Sequence, residues 1–411
     1  MLKISAVIFC CMMLIPVKPL PRALDDWGFY AHKLINRMAV FTLPEDLIEF
    51  YKSNLDYITS HAIDPDKRRY AVKGEAVRHY IDLDHWNVDS SSVLNKDFAI
   101  SLIKNSHFYY VYEGIKCLVF DTSKAMNDTL YYTQNIKNIK LIFTTGVHIH
   151  DFRKGFLFAT LPYYDTEHWN VPLDSFHNLF LADSKEEFIE IEDRFTAHGI
   201  LPYHLESSYH QLVNAFESKN VNRILRLSAD IGHYMGDAHV PLHTTKNYNG
   251  QLTNQVGIHA FWESRIPELF AESEFDFVIG RAQYFSDIKS FIWQIIHDSH
   301  SGVFKVLNIE KTLSKQIPAD KQYCYDERLG VISKIQCKDY AYLYHKELDQ
   351  QVETRMRDCI LNLGSLWMSA WVEAGQPDLS VVNLNRQEQE LIKEDSTLHK
   401  PKREVIVREH E

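Results

Sequence analysis

Apolar residues recur at helical spacing through most of the chain, and this period predicts its elements. After Trp27, the side chains of Leu34, Ile35 and Met38 fall on one face of a helix. Pro44 followed by two acidic residues is typical of the start of a second helix. The same period predicts further helices over residues 211–219, 284–297, 303–315 and 340–374. We therefore expect an all-α, multi-helical bundle.

A different pattern interrupts the helical one between about residues 90 and 164. The runs HFYYVYEGIKCLVF and IKLIFTTGVHIHDFRKGFLFATL combine aromatic and β-branched residues with glycine breaks, which predicts strands and hairpins. We expect these residues to form a β-rich insertion in the helical host. Helical signals return at Ser184, because Ser184 and Glu187 have the spacing of a capping box and Gly199 is typical of a helix end.

The two ends of the chain differ from its middle. A lysine near the start and the apolar run from Ile4 to Val17 are typical of a secretory signal peptide, and the run is too short to span a bilayer. We expect residues 1–23 to be this signal and the protein to be secreted or periplasmic. Residues 24–375 would form the helical domain. Residues 376–411 are charged and polar, which predicts a disordered tail.

Charge and cysteine content limit the partners and the compartment. The chain of 411 residues carries 44 basic and 55 acidic residues, a formal net charge of −11. It lacks the basic field that dominates binding to phosphate backbones, so a nucleic-acid substrate would need metal ions to offset its charge. In an exported protein, Cys324 and Cys337 can either close a short disulfide loop or remain buried thiols.

The densest group of metal-binding residue types lies between His233 and Glu263. His233 and Asp237 are four residues apart, and His259 and Glu263 repeat this spacing, so each pair would share one face of a helix. His243 lies between the pairs, and the stretch contains no cysteine. Imidazole and carboxylate donors without thiolates suit zinc or a similar ion.

Other candidate donors lie earlier in the chain. His79 stands among acidic and aromatic residues, and Asp64 precedes a proline, which favours the end of a helix at that point. His148 and His150 would share one face of a strand. Asp151 follows them, but because no further donors flank these three residues, we interpret both histidines as structural or solvent-exposed residues.

These residues together resemble the zinc-dependent phospholipase C and S1/P1 nuclease superfamily over most of residues 27–270. Members of that group are multi-helical phosphodiesterases that bind three zinc ions through an N-terminal tryptophan, histidines and acidic residues. The donors that match this order here are Trp27, His32, Asp64, His79, His233, Asp237, His243, His259 and Glu263. The resemblance implies the fold of that superfamily for the helical bundle.

The resemblance also implies how the donors divide among up to three zinc ions. Asp64, His79, His233 and Asp237 would hold one ion, Trp27, His32 and Asp237 a second, and His243, His259 and Glu263 the third. Asp237 would bridge the first two, and a metal-bound hydroxide would attack the phosphorus of a phosphodiester. Asp64 could orient that hydroxide, and Lys67 or Arg68 could neutralise the transition state. Binding of the second ion depends on where the N-terminus is cleaved, because removal of residues 1–23 would leave Leu24, Asp25 and Asp26 ahead of Trp27.

The resemblance leaves three interpretations of function. Glu263 as the final donor and the short interval from His243 to His259 favour a phospholipase C that cleaves phospholipids. The compact WGFYAH start favours a single-strand nuclease instead. A non-catalytic zinc-binding surface protein is the third interpretation. We expect a phosphodiester substrate, phospholipid before single-stranded nucleic acid, and we predict no protein partner. The composition of the insertion is compatible with two roles, gating of the active site or peripheral contact with a membrane.

Overall fold

The computed structural model describes residues 29–86, 94–120, 128–133, 140–141, 146–159, 168–172, 180–181, 188–328 and 331–379. Helices form most of this structure, with a small antiparallel sheet inserted among them. The predicted helical protein with a β-rich insertion is confirmed at this level. The predicted signal segment, Trp27 and nearly all of the predicted tail lie outside the described residues.

The helices of the bundle surround one long central helix. Their bounds are α1 Phe29–Ala39, α2 Glu45–Ser53, α3 Leu55–Ser60, α4 Asp64–Arg68, α7 Leu201–Glu217, α8 Val221–His239, α9 Ile258–Ala260, α10 Ile266–Phe270, α11 Ile288–Ser301, α12 Val303–Gln316, α13 Ala319–Gln322, α14 Lys338–Glu347 and α15 Gln351–Glu373. A π-helical turn, Phe261–Arg265, joins α9 to α10. The helices predicted in the second half are present, except that α14 and α15 divide the predicted 340–374 helix at Asp349 and Gln350, which have left-handed backbone angles.

Helix α8 is the centre of the bundle and contacts α1, α7 and α15. Its two glycines, Gly232 and Gly236, are one turn apart on the face that meets α1. A Cβ atom at Gly232 would lie 1.9 Å from Oδ1 of Asn36, so the close approach of α1 requires glycine there. Asn36 uses this approach to donate from Nδ2 to the carbonyls of Ile58 and Ala229, at 3.2 and 3.1 Å.

The inserted sheet has its own helical cover. Its strands are β1 Ser106–Tyr112, β2 Ile115–Leu118, β3 Thr129–Tyr131, β4 Lys140–Leu141, β5 Gly146–His148, β6 His168–Pro172, β7 Phe180–Leu181 and β8 Phe188–Asp193, preceded by helix α5 Phe98–Lys104. The antiparallel order β2-β1-β8-β6 forms the main sheet. Phe152 and Phe156 of helix α6, Ile149–Ala159, pack against Phe108 of β1.

Two sequence predictions in the insertion are wrong. Residues 149–159 were expected to be β-structure but form α6, because Phe152 and Phe156 are four apart and both buried. The segment after Ser184 was expected to be a helix, yet Phe188–Asp193 is strand β8. Its burial alternates with period two, and it pairs with both β1 and β6, so the insertion extends beyond residue 164. Ser184 itself lies outside the described residues.

A disulfide-linked hairpin lies near the end of the described chain. Strands β9 Tyr323–Arg328 and β10 Val331–Gln336 are antiparallel, and the structure joins Cys324 to Cys337 at their base. This resolves the alternative that the sequence left open. Among the described helices, none combines the length and the apolar content needed to cross a bilayer.

Candidate metal centre

Eight imidazole and carboxylate side chains meet at one end of the bundle. They come from α1, from residues 64–79, from α8, from the turn after it and from the α9–π segment: His32, Asp66, His79, His233, Asp237, His243, His259 and Glu263. The six histidine and aspartate side chains other than Asp66 and Glu263 are almost completely buried. Buried polar side chains in such number require strong partners.

Asp237 lies in the middle of this cluster, and its two oxygens face different neighbours. Its Oδ1 is 3.6 Å from Nε2 of both His32 and His243. Its Oδ2 is 2.9 Å from Nδ1 of His79 and 3.5 Å from Nε2 of His233, one turn earlier on α8. One carboxylate is therefore placed to contact two different groups of imidazoles.

The second pair, His259 and Glu263, closes the other side of the cluster. Nε2 of His259 lies 2.8 Å from Oε2 of Glu263, and Nε2 of His243 lies 3.5 Å from the same oxygen. Oε1 of Glu263 is 3.2 Å from Nε2 of His32. Glu263 lies in the π-helical turn, a rare element that is frequent at functional sites. This turn aims its carboxylate at three imidazoles.

Backbone carbonyls fix the orientation of two imidazoles. Nδ1–H of His233 donates to the carbonyl of Ala62 at 2.9 Å, and Nδ1–H of His259 donates to that of Tyr248 at 3.1 Å. The second nitrogen of each ring then presents a lone pair to the cluster. Metal-binding histidines are held in this way by donation from the other ring nitrogen.

Burial and close contact shift the pKa values of the carboxylates and imidazoles in the cluster. Burial and the negative charges of Glu263 and Asp66 raise the pKa of Asp237 well above its usual value. Burial acts in the same direction on Glu263, but hydrogen bonds from His243, His259 and His32 outweigh it and hold the pKa of Glu263 well below its usual value. Burial lowers the pKa of His243 to about 4. A cation would displace the protons from these carboxylates and imidazoles, since metal ligands bind in their deprotonated forms.

The donor atoms divide into three groups that could each hold a metal ion, and two of these groups share His233. The atoms of each group lie within 4.8 Å of one another: His32, His233 and Asp237; Asp66, His79 and His233; His243, His259 and Glu263. The donor chemistry fits a metal ion, because imidazole nitrogens and carboxylate oxygens converge and the other ring nitrogens of His233 and His259 already donate to backbone carbonyls. These buried groups could therefore bind metal.

The structure brings together every predicted donor in the described residues except Asp64. The carboxylate of Asp64 instead pairs with Lys67, whose Nζ lies 3.0 Å from Oδ1. Asp66 takes the expected place, with Oδ1 3.5 Å from Nε2 of His233 and 3.7 Å from Nδ1 of His79. Helix α4 begins at Asp64 and Pro65 lies in its first turn, so the proline does not follow a helix end as predicted.

The basic residues near the cluster also differ from the prediction. Arg68 forms a two-pronged ion pair with Asp230, at 3.2 and 3.0 Å, and does not line the cavity above the cluster. Lys67 lines this cavity but its side chain is 56% exposed. Arg69, which sequence reasoning missed, lines the same cavity with a side chain only 6% exposed, and its Nη1 lies 3.6 Å from Oδ1 of Asp66. The sequence contained one signal for Arg69: it follows Asp66 by three residues, just as Lys67 follows Asp64.

A buried polar network fastens residues 64–79 to α8 beneath the cluster. The hydroxyl of Tyr234 donates to Oε1 of Glu75 in a short hydrogen bond, and Nη1 of Arg78 donates to Oε2 of Glu75 at 2.8 Å. The Tyr234 ring also contacts the edge of His79, with centroids 5.3 Å apart. Together with the Arg68–Asp230 pair, this network fixes Asp66 and His79 relative to His233.

Gly236→Ala is expected to weaken metal binding through His32. An added Cβ would lie 2.5 Å from Nδ1 of His32, so the imidazole must shift from its position beside Asp237 and Glu263. We expect metal affinity to fall by about 10–100-fold, the usual effect of disturbing the support of a ligand, although alanine favours the helix. The measurement is metal titration followed by elemental analysis.

Gly155→Ala is the matched control for this substitution. Gly155 lies in α6, and a Cβ there meets no atom within 4 Å. This variant should keep the metal affinity of the unmodified protein. Equal metal affinity in both variants would show that the position of His32 does not matter.

Of the remaining candidates, His148 and His150 stay outside the cluster. Their rings stack on each other at 5.3 Å, His148 at the end of β5 and His150 at the start of α6, so they do not share a strand face.

Compared with known proteins, the chain matches no family model and no curated protein. Any assignment of chemistry must therefore come from the residues of the site itself.

Proposed function

We propose that this protein is a zinc-dependent phosphodiester hydrolase of the phospholipase C type, with the fold of the phospholipase C and P1 nuclease group. The observation that supports it best is the position of Asp237, whose two oxygens face imidazoles from four segments of the chain. Multi-cation sites that act on phosphate esters are bridged in this way. The absence of cysteine from the donor set favours zinc held by nitrogen and oxygen.

In this proposal, the three groups of donors hold zinc ions around Asp237. Asp66, His79 and His233 would serve one ion, His32 and Asp237 a second, and His243, His259 and Glu263 a third. Bound zinc supplies Lewis acidity toward a phosphoryl oxygen and a water of lowered pKa. The backbone carbonyls of Ala62 and Tyr248 keep two of the imidazoles in the binding tautomer.

Two residues of the cavity would act on the substrate directly. The guanidinium of Arg69 is nearly buried at the cavity wall, where its planar donors would bind phosphoryl oxygens and stabilise the charge that develops on them. Asp66 is the more exposed aspartate of the cluster, with 25% of its side chain accessible. Interactions with His233 outweigh burial and hold the pKa of Asp66 at about 2, so its carboxylate would stay ionised and orient the attacking water.

The size and lining of the cavity favour a compact phosphate group over a long polymer. The cavity has a volume of about 220 Å³, which is below the usual range for sites that enclose a drug-sized ligand. A lipid head group would enter it while the acyl chains stay outside. In this proposal the protein is secreted or periplasmic, makes peripheral contact with a lipid surface and acts without a protein partner.

A single-strand nuclease is the second candidate, and one observation favours it. Phe29 and Tyr70 both line the cavity, and Tyr70 is 63% exposed. An exposed aromatic ring beside a phosphate site can stack on a nucleotide base. The same rings can also cover the glycerol part of a lipid, so the substrate test must include both.

The zinc-loaded protein should hydrolyse a phosphocholine diester, with slower or no cleavage of single-stranded RNA and DNA. Activity should disappear with chelator and return with zinc. His233→Ala should abolish hydrolysis, because this imidazole belongs to two of the donor groups. Substrate loss is followed by phosphorus NMR and by gel electrophoresis.

His210→Ala is the matched control, because His210 lies on α7 outside the cluster. This variant should retain the activity of the unmodified protein. Hydrolysis that persists in His233→Ala would rule out the proposed centre. Rapid cleavage of nucleic acid alone would select the nuclease, and bound zinc without turnover of any diester would select a non-catalytic zinc-binding protein.

A further inference from the structure

A second cleft, with basic lining, lies where the helical body meets the inserted sheet. It has a volume of about 460 Å³, and no acidic side chain lines it. Its basic residues come from three separate stretches of the chain: His85, Lys104 with His107, and Arg194 with His198. None of these residues belongs to the candidate metal centre. In a chain with a formal net charge of −11, such a local concentration of basic groups needs an explanation.

Carboxylates outside the lining hold three of these basic groups in place. Lys104 donates to Asp128 at 2.7 Å. Nδ1 of His198 lies 3.5 Å from the buried carboxylate of Asp82. Nδ1 of His107 lies 3.5 Å from Glu192. These contacts orient the basic side chains, but the carboxylates themselves are absent from the cleft wall.

Arg194 differs from the other basic residues of the cleft. It follows strand β8 directly, and its Nη1 donates to Nε2 of His107 at 3.3 Å. Within the described ranges of the chain, no carboxylate lies at ion-pair distance from this guanidinium. Its charge and its remaining N–H groups are therefore available to a ligand. A guanidinium fork matches phosphate oxygens better than any other side chain does.

The opposite wall of the cleft is rigid and aromatic. The rings of His85 and His198 stack with centroids 3.4 Å apart, and the edge of Trp86 meets both rings at 4.7 and 5.3 Å. Side chains held this firmly lose little entropy when a ligand binds. Fixed imidazoles beside an uncompensated guanidinium form a preorganised set of donors for a compact anion.

We propose that this cleft binds a phosphate group, with Arg194 as its principal ligand and the ammonium of Lys104 and the imidazole of His198 as further donors. The phosphate can belong to a free phosphate monoester or to a lipid head group, since both present the same oxygens. The cleft is separate from the metal centre, so this binding does not depend on the proposed hydrolysis.

Arg194→Gln tests the proposal with inorganic phosphate and the zinc-loaded protein. Titration calorimetry at constant ionic strength should show a binding component that weakens about tenfold or more in this variant, since a charge-assisted hydrogen bond is lost. Arg223→Gln removes the same charge from an exposed position on α8 and should leave the component unchanged. Lys104→Gln should weaken it as well, which guards against a local effect of one substitution. Thermal melting checks that each variant is folded.

A second arm separates this component from phosphate bound at the metal centre. It should persist in Asp237→Asn, which alters the metal centre alone. Co-sedimentation with phosphatidylcholine vesicles that contain phosphatidic acid then identifies the source of the phosphate. Vesicle binding that depends on Arg194 assigns the phosphate to a lipid head group. Binding that depends on Arg194 with inorganic phosphate but not with vesicles assigns it to a free monoester. The proposal is overturned when neither probe distinguishes Arg194→Gln from Arg223→Gln.

Discussion

Asp237→Asn is expected to remove most of the gain in stability that zinc would give at the proposed centre, while the metal-free variant stays at least as stable as the metal-free native protein. Burial and the charges of Glu263 and Asp66 raise the pKa of Asp237, so its ionised form is disfavoured in the folded chain. An acid of raised pKa stabilises the fold least at pH values above that pKa. An asparagine removes this repulsion, and it also removes the second anionic oxygen that faces His79 and His233.

Thermal unfolding with and without zinc measures both effects. Zinc at about one hundred times its dissociation constant should stabilise the native protein by about 2.7 kcal/mol, and the variant should gain far less. Hydrolysis should fall by roughly 10³-fold, since the metals supply several kcal/mol of transition-state stabilisation.

Glu206→Gln is the control for the charge change. Glu206 of α7 pairs with Lys289 at 3.0 Å and belongs to none of the donor groups, so this variant should keep the full response to zinc. An equal zinc response in Asp237→Asn and the native protein would contradict a bridging role for this carboxylate.

The sequence was sufficient for the parts of the centre that depend on local spacing. His233 with Asp237, and His259 with Glu263, are each separated by four residues, and any helix places such pairs on one face. The structure keeps both pairs within 3.5 Å. His233 and Asp237 lie on α8, where every residue from Ile231 to His239 is buried and the apolar periodicity is strong.

The choice between Asp64 and Asp66 could not be made from spacing. Both residues lie in the first turn of α4, and each is followed by a base three positions later. What decides between them is the rotation of a five-residue helix, and tertiary bonds fix that rotation. Arg68 reaches Asp230, and the segment that follows reaches α8 through the bond between Glu75 and Tyr234. Contacts over more than 150 residues of sequence carry no signal in the segment itself.

The same limit explains the errors in the insertion. Phe188–Asp193 has a capping pattern before it that favours a helix, but its neighbours β1 and β6 offer hydrogen bonds on both edges. A central strand with both partners present overrides local propensity. Residues 149–159 go the other way, because Phe152 and Phe156 fill the space over Phe108 when they lie one helical turn apart.

Arg69→Gln is expected to lower kcat of the proposed hydrolysis by about 10²–10³-fold. This is the usual loss when an enzyme loses one donor that stabilises developing charge. The reason is geometric: its side chain is only 6% exposed, and it lines the cavity directly above Asp66 and Asp237. A cation in such a place is poorly solvated, so its interaction with phosphoryl oxygens is strong. Zinc content should be unchanged, because arginine is not a ligand. Steady-state kinetics and elemental analysis on the same sample measure both quantities.

Lys67→Gln is the matched control, since Lys67 lines the same cavity and carries the same charge. Its ammonium is 56% exposed and already paired with Asp64 at 3.0 Å, so water and a carboxylate weaken its field at the phosphate. This variant should lose only a few-fold in kcat/KM. A loss in Lys67→Gln as large as that in Arg69→Gln would show that general positive charge matters more than the buried guanidinium. Loss of zinc from Arg69→Gln would instead show that Arg69 supports the position of Asp66. In that case Arg69→Lys, which keeps the positive charge but not the planar guanidinium, should restore zinc binding without restoring kcat.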